Sequence, residues 1–192
     1  MKPLSHVDRV AHTSDADLWS NFKQGSKHAL DTIYYHHISS LLAYGKQFSK
    51  NDALIDDCVQ ELFIDLWSKR DRLGYTNHIR YYLLKSLKRR ILRSLKKLDK
   101  QRFFDDIPSV LTQKFFISSN DDVTQDDKLR KKLFKSLKKL SKLQREVLYL
   151  KYYNDLSCDE IAVVTDSGKK KVYNALSKAM MTLRKLMIDR PK

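Results

Sequence analysis

Four acidic residues in the first half of the chain have the composition of a metal site. They fall within a stretch of ten residues and are Asp56, Asp57, Glu61 and Asp65. Because carboxylates alone can hold Mg²⁺, a metal-dependent nuclease is one hypothesis. It is not the favoured one, since the sequence places neither a second acidic cluster nor a catalytic histidine beside these residues. We therefore predict no bound metal and no cofactor.

The same acidic run can instead be a surface for a protein partner. On a helix, Asp57, Gln60, Glu61 and Ile64 form a stripe beside an apolar one. An acidic stripe on a chain that is basic elsewhere suggests a basic protein partner. The alternative is that these acids pair with nearby Lys or Arg of the same chain, and the pattern alone leaves both interpretations open.

Basic and aromatic residues follow the acidic run, and this mixture is typical of a nucleic-acid surface. The basic residues include Arg72, Arg80, Lys88 and Arg89, and the aromatic ones include Tyr75, Tyr81 and Tyr82. Cations bind phosphates, and aromatic rings stack on unpaired bases. The alternative is that the tyrosines belong to the core and the cations to a solvated face. Tyr75, in a predicted loop, is the better candidate for a base contact.

The last third of the chain has the pattern of a helix-turn-helix. A short helix containing residues 161–164, a polar break at 165–169 and a longer helix have the geometry that places the second helix in the major groove of DNA. If Val172 and Leu176 face inward, the outward side chains are Lys169, Lys170, Lys171, Tyr173, Asn174 and Lys178. Lys suits phosphate oxygens, and Asn can bond an adenine edge. The alternative is a helical hairpin whose lysines are merely solvated.

Other catalytic or ligand patterns are not found in the sequence. Cys58 and Cys158 lie 100 positions apart, which excludes a disulfide framework. The histidines lack zinc-ligand spacing, and there is no nucleophile motif or Gly-rich phosphate loop. Apolar runs are too short to cross a bilayer, and residues 1–13 lack the features of a signal peptide. We therefore expect a cytoplasmic protein that is not an enzyme and has no small-molecule substrate.

The composition is that of a basic, helical protein. The chain has 192 residues, of which 42% are hydrophobic and 32% charged, and its formal net charge is +15. It contains only 4 Gly and 3 Pro, which disfavours collagen, Gly-rich linkers and folds made of many tight hairpins. The excess of positive charge makes nucleic acid the expected partner.

The uneven distribution of charge divides the chain into predicted domains. The net charge is +2 over residues 1–50, +5 over 51–98, −4 over 99–127 and +12 over 128–192. We predict a flexible N-terminus at 1–14, a helical domain at 15–98, an acidic linker at 99–127 and a helix-turn-helix domain at 128–192. The linker contains aromatic residues, which are rare in wholly disordered spacers, so part of it is expected to be packed.

Helical periodicity and capping residues dominate both predicted domains, and no segment alternates with a period of two. Predicted helices run from Asp15 to Gly25, over 27–48, over 52–69 and from Asn77 to about Lys97. The predicted N-caps are Ser14, Asn51, Asn77, Ser141 and Ser157. Three of them, Ser14, Ser141 and Ser157, are predicted to begin capping boxes with Asp17, Gln144 and Glu160. We therefore predict an all-α protein of two small helical domains.

Two motifs resemble those of the extracytoplasmic-function (ECF) sigma factors. Residues 56–67, DDCVQELFIDLW, are similar to the family signature D-[DL]-x-x-Q-E-x-F-x-x-[LV]-W. Residues 140–186 resemble the C-terminal domain of the family, with 143–147, 156–157, 160–162 and Val172 at matching spacings. The resemblance extends over nearly the whole chain, from Asp15 to about Met187.

The resemblance implies a role for each set of residues. Contacts with the β′ clamp helices of core RNA polymerase are expected from Asp57, Gln60, Glu61, Ile64 and Trp67. Opening of the promoter −10 element is expected from the loop 69–77 and the next helix, through Arg72, Tyr75, Asn77, Arg80, Tyr81, Lys88 and Arg89. The C-terminal domain is expected to bind the β flap and to read the −35 element through its outward lysines, Tyr173 and Asn174. An anti-sigma factor is a further expected partner.

The helix-turn-helix departs from the family pattern at its turn. Thr165, Asp166 and Ser167 stand where the family usually has an apolar residue, a glycine and another apolar residue. This leaves the turn geometry, and with it the register of the recognition helix, open. We predict an ECF sigma factor without catalytic activity. The alternatives are a helix-turn-helix regulator that acts without polymerase and, less favoured, the metal-dependent nuclease.

Overall fold

The structure is a computed structural model that describes residues 14–97 and 126–188. The N-terminal half contains α1 (Asp15–Lys23), α2 (Lys27–Gly45), α3 (Asp52–Ser68), a 3₁₀ turn (Arg70–Arg72) and α4 (Ile79–Lys97). The C-terminal half contains α5 (Asp126–Lys138), α6 (Lys142–Tyr152), α7 (Cys158–Thr165) and α8 (Lys169–Ile188). These two segments contain no strand, and the predicted all-α class is confirmed.

Side-chain caps determine where most of these helices begin. Ser14, Ser26 and Asn51 each accept a hydrogen bond from the backbone N–H three residues on. Ser141 and Ser157 open two of the three predicted capping boxes. At the third, the carboxylate of Asp17 accepts from the hydroxyl of Ser14 at 2.6 Å, so the predicted reciprocal bond to the backbone is wrong there. Each bond to a backbone N–H satisfies a donor that the helix itself leaves free. The predicted caps of α1, α3, α6 and α7 are thus confirmed.

The start of α4 differs from the prediction. Asn77 is the predicted cap, but the backbone N–H of Ile79 donates to Oδ2 of Asp15 at 2.9 Å. Asp15 lies on α1, 64 positions earlier in the chain, so no local pattern could indicate it. A carboxylate at a helix N-terminus also interacts favourably with the helix dipole. The contact therefore caps α4 and fixes it to α1.

The turn between α7 and α8 forms without a glycine at its left-handed position. Asp166 adopts that conformation, with φ 50° and ψ 39°, and its backbone N–H returns to the carbonyls of Ala162 and Val163. The N–H of Ser167 donates to the carbonyl of Ala162 at 3.0 Å. Asp is one of the few L-residues that adopt this conformation readily. The helix-turn-helix is therefore present despite its unusual turn sequence.

Each half has its own buried side chains, and the two halves also pack on each other. The N-terminal core includes Trp19, Phe22, Ile33, Leu62 and Leu83, and the C-terminal core includes Val147, Ile161, Val172 and Ala179. The halves meet where α4 packs on α7. The buried rings of Tyr44 and Tyr149 also stack across this boundary, with centroids 6.0 Å apart.

Two predicted segments lie outside the described residues. They are the flexible N-terminus, of which only Ser14 is described, and the acidic linker, of which only Asp126 and Asp127 are described, in the first turn of α5. In the part of the chain that is described, no helix is both long enough and apolar enough to span a membrane.

Gly45, the last residue of α2, marks a close approach to α3. A Cβ at this position would overlap Cγ2 of Ile55 and lie 3.3 Å from Cδ1 of Ile91, and both isoleucines are buried. Gly45→Ala is expected to lower the free energy of unfolding by about 1–3 kcal/mol, because overpacking a filled core forces side chains out of place. Urea denaturation measures this difference.

Gly74 provides the matched control for this substitution. A Cβ there would meet nothing within 4 Å, so Gly74→Ala is expected to change the free energy of unfolding by less than about 0.5 kcal/mol. Equal stability of the two variants would contradict the close packing of α2 on α3.

Candidate nucleic-acid interface

The outward face of α3 carries three of the predicted partner contacts. Asp57, Gln60 and Ile64 are spaced at i, i+3 and i+7, and all three are exposed. Ile64 is 67% exposed, which is unusual for an isoleucine in a helix whose other face is buried. This exposed apolar side chain and the polar ones beside it are available to contact a partner.

The next acids of α3 are paired with basic residues of the same half. Oε2 of Glu61 accepts a hydrogen bond from Arg90 at 2.9 Å, and Asp65 accepts bonds from Arg90 and from Lys69. The hydrogen bonds from Arg90 and Lys69 hold the pKa of Asp65 below its ordinary value. Within residues 14–97 and 126–188, no group of three or more His, Cys, Asp or Glu side chains could hold a metal ion.

Trp67 lies partly inside the N-terminal half. Its ring packs near that of Phe22, with centroids 6.3 Å apart, and the guanidinium of Arg70 lies 4.5 Å from the ring centroid. Arg70 also donates to the backbone carbonyl of Trp67 at 2.9 Å. The predicted contact at Trp67 is therefore limited to the half-exposed edge of its ring.

The loop before α4 exposes a tyrosine and is anchored to the core of the N-terminal half. Tyr75 is 71% exposed, and Arg72 and Asn77 are also exposed. The loop is tied to the core by Trp19, whose Nε1–H donates to the carbonyl of Gly74 at 3.0 Å. Because the backbone beside Tyr75 is anchored in this way, its exposed ring is suited to stack on an unpaired base, and less of the loop has to be fixed on binding.

The remaining residues of the predicted −10 surface face the C-terminal half. Arg80 donates to Oδ1 of Asn154 at 3.0 Å, and the hydroxyl of Tyr81 donates to Glu160. Four side chains of the predicted −10 set take part in this contact, and they are Arg80, Tyr81, Lys88 and Arg89. The structure thus divides the predicted −10 set into an exposed loop and a helix face that is paired with the C-terminal half, within which Arg89 is still 60% exposed.

Glu146 of α6 contributes a largely buried carboxylate to this contact. Its Oε1 accepts hydrogen bonds from Lys88 and from the hydroxyl of Tyr44, each at 2.7 Å. The side chains of Lys88 and Glu146 are only 16% and 12% exposed. Burial, reinforced by the neighbouring Glu146 carboxylate, holds the pKa of Tyr44 well above its ordinary value, so its hydroxyl remains a donor.

Asp166, in the turn of the helix-turn-helix, joins the same contact. Its carboxylate lies 2.6 Å from Nζ of Lys85 and accepts from Arg89 at 3.0 Å. These hydrogen bonds, first from Lys85 and then from Arg89, lower the pKa of Asp166. The sequence pattern does not indicate the pairs Lys85–Asp166 and Lys88–Glu146, because only tertiary packing joins them.

The outer face of α8 is open along its N-terminal part. Every side chain of the predicted −35 set is exposed: Lys169, Lys170, Lys171, Tyr173, Asn174 and Lys178. Val172 is fully buried and Leu176 packs against the core, as the spacing predicts. Asn174, Lys171 and Lys178 line a groove of about 660 Å³ that also includes Ser141 at the start of α6. Lys169 is also exposed, but its ammonium group forms an ion pair with Asp159 at 2.8 Å.

Two protein-family models match the chain. The model of sigma-70 region 2 matches residues 33–101, and the model of sigma-70 region 4 matches residues 130–183. Together the two segments cover more than half of the chain. The chain belongs to the sigma-70 family. Its pairing of region 2 with region 4 is that of the ECF group, as the resemblance predicts.

Solved structures of similar proteins share the fold of this sigma factor. CnrH in complex with the cytosolic domain of CnrY matches with a TM-score of 0.63 at 18% identity, covering 91% of this chain and 97% of that one. RpoE of Bartonella quintana in complex with the anti-sigma factor NepR matches with a TM-score of 0.55 at 18% identity, covering 83% and 98%. No curated protein matches the sequence.

Membership of the family fixes the general function of the sigma factor. It is a transcription initiation factor that works with core RNA polymerase and promoter DNA, and it catalyses no reaction itself. The predicted function is thereby confirmed, whereas the role of each individual side chain remains a prediction.

Proposed function

We propose that the sigma factor docks on the β′ clamp helices of core RNA polymerase through the outward face of α3. Asp57, Gln60 and Ile64 form the centre of this surface, because they are exposed on one helix face. Glu61 contributes at the edge, where it is already paired with Arg90. The half-exposed ring of Trp67 borders the same face.

The −10 element is bound by the loop before α4 and by the basic face of α4. Tyr75 stacks on an extruded base, and Asn77 contacts its edge, since both are exposed on a loop anchored by Trp19. Extruding a base costs a few kcal/mol, which stacking and edge contacts must offset. Arg80, Lys88 and Arg89 then bind the phosphates of the melted strand, and Arg72 and Tyr81 flank it.

The −35 element is read by α8, and the C-terminal domain also contacts the β flap. The observation that supports this assignment best is the division of α8 into two faces, one buried through Val172 and Ala179 and the other lined by lysines and Asn174. Lys170, Lys171 and Lys178 are placed to bind phosphates, and Asn174 is placed to read a base edge.

The setting of this function is the cytoplasm, where polymerase and chromosomal DNA are found. An anti-sigma factor is the proposed regulatory partner. Both similar structures named above are complexes, one with the cytosolic domain of CnrY and the other with the anti-sigma factor NepR. A partner of the same kind suits this chain because it has the same two-domain helical fold.

Run-off transcription with purified core polymerase on genomic fragments tests the proposal as a whole. We expect discrete transcripts that depend on the sigma factor. DNA binding without any dependence on polymerase would instead favour a regulator that acts alone. The promoters found in this way provide the −10 and −35 sequences for the experiments below.

Asn174 and Lys171 are expected to differ in what they contribute to −35 binding. Asn174→Ala should weaken binding to the −35 duplex by about 1–3 kcal/mol and relax the preference at one base pair. Lys171→Ala should weaken specific and random duplexes alike and lower the salt slope of log K by about 0.9. Fluorescence anisotropy of the full chain over a salt series measures both effects.

Lys185, an exposed lysine in the last turns of α8, provides the matched control. Lys185→Ala is expected to leave the preference for the −35 duplex unchanged, because it lies away from the groove that Asn174 lines. If the Asn174 variant retains full discrimination between the two duplexes, α8 is rotated relative to the register proposed here.

A further inference from the structure

A groove runs along the side of α8 that faces the start of α6. Its volume is about 660 Å³. One wall is α8, which contributes Asn174 and the three lysines proposed to bind phosphates. The start of α6 forms the other wall, with Ser141, Leu143 and Gln144. None of the side chains that line the groove is acidic, so its positive charge is not balanced by its own lining.

Two further lysines flank the wall that α6 forms. Lys139 directly follows the end of α5, and Lys142 is the first residue of α6. Ser141, which lines the groove, lies between them in the chain. Both lysines are exposed. A cleft lined by one sign of charge focuses the electric field and raises the local concentration of ions of the opposite sign. Residues 139–142, the α5–α6 corner, therefore add to the attraction of this groove for anions.

The acidic side chains of the C-terminal half are engaged away from the groove. Residues 128–192 carry a net charge of +12. Asp159 of α7 forms an ion pair with Lys169 at 2.8 Å. Three other carboxylates bind side chains of the N-terminal half, and they are Glu146, Glu160 and Asp166. The groove is therefore a place where the excess of positive charge is available to a ligand.

The backbone of the α5–α6 corner is held by hydrogen bonds of neighbouring side chains. The N–H of Ser141 donates to Oε1 of Gln144 at 2.8 Å, and the N–H of Gln144 donates to Oγ of Ser141 at 3.3 Å. Nη1 of Arg145 donates to the carbonyl of Leu140, a buried residue, at 2.8 Å. An anion that binds here therefore has to order little besides the lysine side chains.

The α5–α6 corner lies beside the middle of α8, because α5 runs antiparallel to that helix. Nζ of Lys132, on α5, donates to the carbonyl of Met187 near the end of α8 at 2.9 Å. Ser141, beyond the end of α5, shares the groove with Lys178. Advancing along α5 thus corresponds to moving back along α8. The corner is consequently on the same stretch of surface as Asn174, the proposed base contact.

We propose that this groove binds the phosphodiester backbone of one DNA strand beside the −35 element, with Lys139 and Lys142 on one side of the phosphates and the lysines of α8 on the other. The inference rests on the proposed binding of α8 to that element. Phosphates are a continuous row of anions, which lysines bind as point charges. Such contacts fix the position of a protein on the duplex and carry no sequence information. The corner therefore holds α8 where Asn174 meets its base.

The test is a double variant of the full chain, Lys139→Gln with Lys142→Gln. Fluorescence anisotropy is measured with the −35 duplex and with a random duplex over a salt series. We expect the salt slope of log K to fall by about 1.8 for both duplexes, since each lost phosphate contact lowers it by about 0.9. At about 0.1 M salt the affinity should fall at least about tenfold. The preference between the two duplexes should not change, because phosphate contacts do not read bases.

Two further variants are the controls. Lys135→Gln with Lys185→Gln removes the same charge from exposed positions of α5 and α8 that do not line the groove. It is expected to lower the slope by less than about 0.9, the value of a single contact. Lys139→Arg with Lys142→Arg keeps both charges and should retain the wild-type slope. Circular dichroism should show wild-type helicity for all three variants, because every substituted lysine is exposed.

Ethylation interference on the −35 duplex locates the contact directly, because ethylation removes the charge of one phosphate at a time. We expect at least one phosphate whose ethylation weakens binding of the wild-type chain but not of the Lys139/Lys142 glutamine variant. Identical interference patterns for the two proteins overturn the proposal. A change of salt slope no larger than that of the Lys135/Lys185 control overturns it as well.

The Lys171→Ala and Asn174→Ala variants separate failure of this inference from failure of the assignment on which it rests. If Lys171→Ala lowers the salt slope and the double glutamine variant does not, the strand in the groove is overturned and the −35 assignment stands. If neither single variant changes duplex binding, α8 does not bind the −35 element, and both proposals are overturned. Weaker binding of the double variant to core polymerase, with unchanged duplex binding, would make the α5–α6 corner a protein surface and also overturn the inference.

Discussion

The Ile64→Glu variant of the sigma factor is expected to bind core RNA polymerase at least about 100-fold more weakly than the wild-type chain. Ile64 is 67% exposed at the centre of the proposed docking face of α3. Burying an isoleucine side chain contributes about 1.5–3 kcal/mol, and an unpaired carboxylate in its place adds a desolvation penalty of about 1–3 kcal/mol. The sum of about 2.5–6 kcal/mol corresponds to a loss of about two to four powers of ten in affinity. Fluorescence anisotropy with purified core polymerase measures it.

Met181→Glu is the control for this substitution. Met181 is also 67% exposed on a helix, but it lies on α8 and outside the proposed docking face. We expect its core affinity to remain within about threefold of the wild-type value, a difference below about 0.7 kcal/mol. Both variants should unfold at the wild-type temperature, since neither side chain is part of the core. An unchanged affinity of the Ile64 variant would mean that polymerase docks on another surface.

Ile64 is a better test position than its acidic neighbour Glu61. Glu61 is hydrogen-bonded to Arg90 of α4 at 2.9 Å. A change to Lys would place two cations together and disturb the packing of α3 on α4 as well as the outer surface. The loss of core binding could then have either cause. Asp57 and Gln60, which are exposed on the same face as Ile64, are suitable for further single substitutions to alanine.

The helices and their starting points could be predicted because their causes are local. Ser14, Asn51, Ser141 and Ser157 cap helices through backbone groups three residues away, a distance over which sequence pattern is informative. The inward positions of α3 and α8 also follow from helical spacing alone. The same spacing correctly leaves the lysines of α8 and Asn174 on the outer face.

The contacts between the domains could not be predicted, because their partners are far apart in the chain. Tyr44 and Glu146 are 102 positions apart, Tyr81 and Glu160 are 79 apart, and the cap of α4 comes from a residue 64 positions away. Periodicity shows that Lys88 and Arg89 face outward from their own domain, but it does not show what covers them. For this reason the sequence predicted a DNA surface along α4 without predicting that it is occupied.

The turn of the helix-turn-helix could be predicted only in part from the sequence. The absence of a glycine at the usual position leaves the turn geometry open when the sequence is compared with the family pattern. Asp166 resolves it in two ways, since its backbone adopts φ 50° and its side chain binds Lys85 and Arg89 of α4. The first property follows from the tolerance of Asp for this conformation. The second depends on the packing of the domains and has no signal in the sequence.

Replacing Tyr75 and Asn77 together by alanine is expected to reduce open-complex formation by at least about 30-fold while leaving core binding within about threefold of wild type. Stacking on an aromatic ring contributes about 1–3 kcal/mol per base, and a base-edge contact adds about 1–3 kcal/mol. Neither side chain stabilises the fold, since both are exposed and the loop is held instead by the Trp19–Gly74 hydrogen bond. Permanganate reactivity of promoter thymines in the holoenzyme measures opening.

Two further variants determine what the tyrosine contributes. Tyr75→Phe retains the ring and removes only the hydroxyl, so it is expected to keep opening within about threefold of the wild-type level if stacking is the main contribution. Tyr152→Ala removes the last residue of α6, a tyrosine that is 61% exposed. This control is expected to leave opening unchanged. If the phenylalanine variant is as defective as the alanine variant, the hydroxyl and not the ring makes the contact. If core binding falls in parallel with opening, the loop is part of the docking surface and does not hold the extruded base.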